Sequence, residues 1–449
     1  MNTPSRPLDP GEAFFYMTDR VSCMNFVLFA ERCATLEPTQ IRNALNVIQQ
    51  ENPLLQTRIV WNEENGLRFE PAPDAPISLE CHPVTENNWL TYIENELARP
   101  FAEDVAPLAR CLYLQIDADV DTAAHSVLVV CFHHSIADGR SGEALLRRLL
   151  DCIANKTTLA DAIKPPTGMP PMSAVVPERF RWTQREEEAE ALMDVQMRDY
   201  KRHGLVARQP WLNSAAPTRI PRLIRLSLPP EATRRLLMQA RAHESSVHGA
   251  LCAAQLLAQY RLHRLHGGEQ PSTLFLTCPI DLRTHLEPIQ PTIPIGFYTS
   301  LLSASLMLDT HTDFWDLARR VVAQTRRQAA RGEGHLFYNL YGLDGGTISP
   351  DRMARFGKAV LSSWQNTMVS NIGVVASVDN DPAVEAISFA LCPMPYQVLF
   401  NAVSTYKDRL ILNVGYDAGK LQPETAHTLT TAMQELLLAA ANATTTATV

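Results

Sequence analysis

The sequence predicts a mixed α/β fold laid down as two successive halves. Strand-like and helix-like segments alternate on both sides of residue 205, which favours layered sheets and helices over an all-helical or all-β architecture. Between the halves, from Lys164, the proline-rich stretch "KPPTGMPPMSAVVPERF" reads as a crossing segment or linker. The 449 residues suit two large halves of one fold, drawn here as 1–204 and 205–449.

Ile41, Leu45 and Ile48 recur at helical spacing, and Pro53 after Asn52 stops that helix. "LLQTRIVW" and "LRFEPAP" read as two strands joined by "NEENG". "WLTYIENELARPF" is a helix ended near Pro100, and "ARCLYLQI" and "HSVLVVCF" are strands. Every residue from Val127 to Phe132 is apolar, as in a strand covered on both faces. "REEEAEALMDVQMRDYKRHG" is a charged helix with a solvated face, ending at Gly204. In the second half "RLIRLSL", "STLFLTCPIDLR", "NTMVSNIGVV" and "RLILNVGYD" read as strands. The helices there are "PPEATRRLLMQARAHE", "SSVHGALCAAQLLAQYRLHRLHGG", "DFWDLARRVVAQTRRQAARGEG" and "PETAHTLTTAMQELLLAAAN".

Composition narrows the function classes. The formal net charge is −8, which argues against a dedicated nucleic-acid binder. Cys23, Cys33, Cys81, Cys111, Cys131, Cys152, Cys252, Cys278 and Cys392 are scattered singly with no CxxC pair, so they read as reduced, buried thiols of a cytoplasmic protein rather than disulfides or a zinc site. The N-terminus lacks the apolar core of a signal peptide, and no run approaches the ~18 apolar residues of a transmembrane segment. His263 and His266 read as a solvated helix end, and Arg319, Arg320, Arg326 and Arg327 as a solvated face.

The chemistry concentrates in "VVCFHHSIADGRSGEALL", Val129 to Leu146. The strand is expected to end near Phe132 and a helix to begin near Ser141, which puts His133, His134, Asp138 and Gly139 on the connecting loop. Such loops, at the carboxyl ends of strands, are where ligands bind in open α/β sheets. Neighbouring side chains leaving a strand point to opposite faces, so the two histidines are poorly placed to share one metal ion. The same opposition lets one imidazole project into a cleft while the other packs inward. A neutral imidazole in the cleft can take a proton from an alcohol, amine or thiol. Asp138 could orient that imidazole or hold the loop through a distant arginine, and spacing alone does not choose. Gly139 permits a sharp turn.

"HHSIADG" resembles the HHxxxDG signature of the chloramphenicol acetyltransferase-like superfamily, which includes nonribosomal condensation domains and polyketide-associated acyltransferases. "LDPGEAFFY", "LEPTQIRNALNVIQQENPLLQTRI", "SSVHGALCAAQLLA", "PIDLR", "IGFYTS" and "VSNIG" follow in the family's order. The plant-type DFGWG motif is absent, and no carrier or adenylation segment is attached. The chain is therefore most similar to stand-alone polyketide-associated acyltransferases. The resemblance implies two similar α/β halves, each a mixed sheet with helices, with an active-site tunnel between them. It implies that His134 is the general base, with His133, Asp138 and Gly139 in support and Arg283 of "PIDLR" pairing with Asp138. Ser370 and Asn371 of "VSNIG" are candidates to line the tunnel or bind the oxyanion. The implied donor is a coenzyme A or phosphopantetheine thioester, supplied free or on an acyl carrier protein, and the acceptor a small-molecule alcohol or amine. No tightly bound cofactor or metal is expected. An amide-forming condensation enzyme and a non-catalytic carrier-binding relative are the alternatives. Loss of the second histidine or the Asp-Gly would favour the latter, and both are present.

Overall fold

The computed structural model describes residues 5–64, 66–102, 104–117, 124–164, 170–181, 187–188, 191, 211–213, 218–268, 271–338, 343, 350–363 and 365–443. The boundary expected between 204 and 205 and most of the charged helix expected over 185–204 lie outside these residues.

Among the described residues the N-terminal part runs β1 (Arg6–Pro7), α1 (Pro10–Asp19), β2 (Asn25–Arg32), α2 (Pro38–Glu51), β3 (Thr57–Asn62), β4 (Gly66–Pro71), β5 (Ser78–Val84), α3 (Trp89–Ala98), β6 (Ala109–Ile116), β7 (His125–His133), α4 (Gly139–Ala154) and the single turn α5 (Met172–Val175). The C-terminal part runs β8 (Pro221–Leu228), α6 (Pro230–Ala242), α7 (Val247–Leu265), β9 (Ser272–Asp281), β10 (Thr299–Leu308), α8 (Phe314–Ala330), α9 (Pro350–Ser362), β11 (Asn366–Val374), β12 (Val384–Leu391), β13 (Gln397–Tyr406), β14 (Arg409–Asp417) and α10 (Pro423–Asn442). The fold is mixed α/β, as the alternation of segments requires.

A five-stranded sheet, order β12-β2-β7-β6-β5, forms the first lobe, and a six-stranded sheet, order β10-β9-β11-β13-β14-β8, forms the second. A small sheet, β1-β4-β3, flanks the first lobe. Chain order and sheet membership part company at β12. Although it lies far past residue 205, β12 completes the first lobe's sheet by pairing antiparallel with β2, Ile387 opposite Ala30. The lobes are joined further by a shared apolar core. Phe14, Phe26, Leu128 and Leu146 of the first part pack in one cluster with Phe297, Tyr338, Met368 and Phe389 of the second. A second cluster, between the six-stranded sheet and α6, α7, α8 and α10, belongs to the C-terminal lobe alone.

Where β12 crosses toward the second sheet, Gly415 of β14 lies against it. A Cβ on Gly415 would stand 2.4 Å from the Leu391 carbonyl oxygen, a backbone atom that cannot rotate away. Gly415→Ala is expected to destabilise the protein by about 3 kcal/mol, the upper end of overpacking costs, read as a lowered urea midpoint.

The helix ends follow from local chemistry. Asp9 caps α1 in a reciprocal box with Glu12, and Pro10 opens that helix where its missing N–H is harmless. Asp138 caps α4 by accepting from the Arg140 and Ser141 amides at 3.1 and 3.0 Å. At the end of α7, His266 is exposed as a solvated helix end should be, but His263 is buried against Gly268.

Candidate active site

Strand β7 delivers the two histidines. Along it Phe132 and Val130 face the shared core, and Cys131 and Val129 face the α3 side of the sheet. His133 continues the second row and is buried. Its Nδ1 accepts the Ser135 N–H at 3.2 Å, and its ring lies 6.0 Å from those of Tyr16 and Phe101. His134, one step on, takes the opposite direction, toward the junction of the lobes. The two imidazoles thus part, and they share no ion-binding position among the described residues.

His134 is partly exposed and held on three sides by aromatic rings. Phe15 of α1 stacks on it at 3.9 Å between centroids, Phe26 of β2 tilts against it at 4.6 Å, and Phe297 meets it edge-on at 5.8 Å. Its Nδ1 donates to the Ala137 carbonyl at 2.9 Å. That bond fixes the tautomer: the proton sits on Nδ1, and Nε2 keeps its lone pair. Burial pushes the imidazolium down to about 4, against the opposing pull of the Ala137 carbonyl and Asp138. The ring is therefore neutral at physiological pH.

The pH dependence follows with a definite sign. A base that must be neutral keeps working as pH falls until the lowered value is approached. The acid limb of kcat/KM assigned to His134 is expected near pH 4, not near the ordinary 6.5. Between 6.5 and 4 the unfolded chain takes up a proton that the folded ring refuses, so this group lowers stability progressively as pH falls through that window. A steady-state pH profile and urea midpoints at matched pH check the two limbs.

Asp138 does not touch the imidazole in the hydrogen-bond pattern. It organises the loop. Besides capping α4, its Oδ2 accepts the Tyr298 N–H at 2.8 Å and pairs with Arg283 Nη2 at 2.9 Å. Both side chains of the pair are almost wholly buried, at 2% and 3% exposure. Arg283 also donates to Ser141 Oγ at 2.6 Å and to the Pro291 carbonyl at 3.1 Å, and its Nη1 pairs with Asp281 at 3.0 Å. Ser141 Oγ donates in turn to the Gly296 carbonyl at 2.9 Å. "PIDLR" and "IGFYTS" therefore converge on Asp-Gly, 145 residues from Asp138 in the case of Arg283.

Gly139 lies against β11. A Cβ there would come within 3.3 Å of Ile372 Cγ2, and Arg140 Nη1 donates to the Ile372 carbonyl at 2.8 Å. Alternation along β11 puts Ser370 on the face of Met368 and Ile372, which meets the motif loop. Asn371 belongs to the other face and spends its Oδ1 on the Gly373 N–H at 2.8 Å. The Arg140, Ser141 and Gly142 amides are all taken by Asp138 and so are not available to an oxyanion. Of the two candidates in "VSNIG", Ser370 is the better placed.

Three contributors were not singled out from sequence. Phe15 stacks on the imidazole and Phe297 meets its edge, and Glu12 ties α1 to the motif: its carbonyl accepts from Ser135 Oγ at 2.7 Å, while its carboxylate is held by Arg6 at 2.6 Å. Their signals were the capping box around "DPGE" and the aromatic of "IGFYTS".

Residues 217–414 match the family described as phthiocerol/phthiodiolone dimycocerosyl transferase C-terminus. A phthiocerol/phthiodiolone dimycocerosyl transferase of Mycobacterium leprae is 32% identical over 213 residues, which is 46% of this chain and 48% of that protein. The match thus spans about half of that relative's length. Folds are shared over nearly the whole chain. Polyketide synthase associated protein 5 from Mycobacterium tuberculosis superposes with a TM-score of 0.64 at 16% identity, covering 98% of each chain. A trichothecene 15-O-acetyltransferase from Fusarium sporotrichioides gives 0.71 at 12% identity, covering 97% of this chain and 95% of the other. The first condensation domain of the CDA synthetase gives 0.70 at 15% identity, covering 98% and 97%. Over nearly its whole length the chain shares the fold of these acyltransferases and condensation domains, and its residues 217–414 match the phthiocerol/phthiodiolone dimycocerosyl transferase C-terminus family, in line with the resemblance carried by "HHSIADG".

Proposed function

We propose that the protein is an acyltransferase that moves an acyl group from a thioester to the hydroxyl of a lipid or secondary metabolite, with an amine as the less favoured acceptor. The observation that carries this is the Nδ1–H bond of His134 to Ala137, which leaves a neutral Nε2 lone pair at the junction of the lobes. The relatives' names, a dimycocerosyl transferase and an acetyltransferase, support the same reaction class.

In this reading His134 Nε2 takes the acceptor's O–H proton as the oxygen attacks the thioester carbonyl. The tetrahedral intermediate collapses, the C–S bond breaks, and the imidazolium returns the proton to the departing sulfur. The products are an ester and a free thiol. Ser370 is assigned as a donor to the oxyanion, where hydrogen bonds count most. His133, Asp138, Gly139 and Arg283 position the loop without touching the reactants. Donor and acceptor reach His134 from opposite ends of a passage between the lobes. The donor is a coenzyme A or carrier-protein thioester, and the setting is the reducing cytoplasm, in keeping with nine free cysteines, of which Cys33 and Cys81 are exposed where burial was expected.

Mass spectrometry of products from a panel of acyl thioesters and acceptors tests this. Ester formation with thiol release is the expected result. Products confined to amides of carrier-bound substrates would favour a condensation enzyme, and carrier binding without thioester consumption would reject catalysis.

A further inference from the structure

A second cluster of reactive side chains lies in the C-terminal lobe, among elements that do not carry His134. His248 and Cys252 stand four residues apart on α7, so they share one face of that helix. Cys278 comes from the neighbouring strand β9. The Cys252 and Cys278 sulfurs are 3.9 Å apart, and His248 Nε2 is 3.5 Å from Cys252 Sγ. All three donor atoms lie within 4.8 Å of one another. No local spacing announces this group, because 26 residues separate the two cysteines.

The distances suit a metal better than a disulfide. An S–S bond is about 2.05 Å long, far shorter than the gap here. Tetrahedral Zn²⁺ with bonds of about 2.3 Å to sulfur and about 2.0 Å to nitrogen has S···S edges of about 3.8 Å and S···N edges of about 3.5 Å. The two edges that include Cys252 match both values. Two thiolates would cancel the charge of a divalent cation, so a buried complex carries no net charge. Both cysteines are fully buried, while His248 is half-buried and leaves an approach from outside. Thiolate and imidazole donors are those that select Zn²⁺ over Mg²⁺ or Ca²⁺.

We propose that His248, Cys252 and Cys278 bind one Zn²⁺ ion, which clips α7 to β9 and leaves a fourth position for a water or small ligand. Each thiol gives up its proton as its sulfur takes the metal, so binding releases protons and strengthens as pH rises. The clip fixes β9 three residues before Asp281, the partner of Arg283, so it also braces the far end of the buried ion pair.

The test uses the full chain, purified under reducing conditions, stripped with chelator and titrated with Co²⁺. The expected result is a saturable thiolate-to-cobalt charge-transfer band at one equivalent, with the visible bands of tetrahedral Co²⁺, both abolished by Zn²⁺. The band should be lost in Cys252→Ser and Cys278→Ser and weakened in His248→Ala. If the cysteine variants do not fold, native mass spectrometry of the full chain decides: the chelator-stripped protein should take up one Zn²⁺ ion with loss of two protons. Absence of the band, its survival in the cysteine variants, no stoichiometric uptake of Zn²⁺, or a Cys252–Cys278 disulfide in protein purified without reductant would overturn the proposal.

Discussion

His134→Ala is expected to lower kcat for acyl transfer by a factor of about 10²–10⁴ while the far-ultraviolet circular dichroism and cooperative unfolding are kept. The loss belongs to kcat because Nε2 acts on a proton in flight and contributes little to holding either substrate. The imidazole is partly exposed at the lobe junction, and its hydrogen bond is to a carbonyl of its own loop. Removing it therefore leaves no buried charge behind and breaks no contact between elements other than ring packing with Phe15, Phe26 and Phe297. Undiminished thiol release by this variant would eliminate the proposed chemistry.

Asp138→Ala has its largest effect on stability. It takes from the Arg283 guanidinium, which is 3% exposed, its buried counter-charge and leaves it only the more exposed Asp281; it also removes the cap of α4 and frees the Tyr298 amide. Deleting one partner of a buried pair costs about 3–5 kcal/mol, and the lost cap about 1 kcal/mol more. Arg283→Ala should cost a comparable amount, because it leaves the carboxylate unpaired beside Ser141. The double variant should cost less than the sum of the two, since neither charge is then left alone. Denaturant midpoints for the four proteins of the cycle give the coupling. Strict additivity would show that the 2.9 Å pair contributes nothing to the fold.

The local elements were legible where one face repeats or a breaker stands nearby. The α2 helix appears between Pro38 and Glu51, just short of the Pro53 that was expected to stop it, and β6 and β7 lie where their apolar runs placed them. β2, β12 and β13 were not read: unlike β7, whose run from Val127 to Phe132 is wholly apolar, they carry buried polar residues, Asn25, Ser388, Asn401 and Ser404, which interrupt the apolar run and leave no period of two. The pairing of β12 with β2 joins residues some 350 apart, and no local pattern encodes it. The site divides in the same way. His133, His134, Asp138 and Gly139 stood out because their chemistry is compressed into one loop. Arg283 could be named only through the family resemblance. Phe15 and Phe297 looked like ordinary core aromatics, because what distinguishes them is the ring they touch, not their own sequence neighbourhood.

Acyl transfer through His134 requires a neutral ring that carries its proton on Nδ1. Nitrogen-15 NMR of histidine-labelled protein, with the resonance assigned by its loss in His134→Ala, measures this directly. The predicted result is a ring protonated on Nδ1 and bare at Nε2 from neutral pH downward, titrating near 4. A proton resident on Nε2, or titration near 6.5, would contradict general-base catalysis by a desolvated His134.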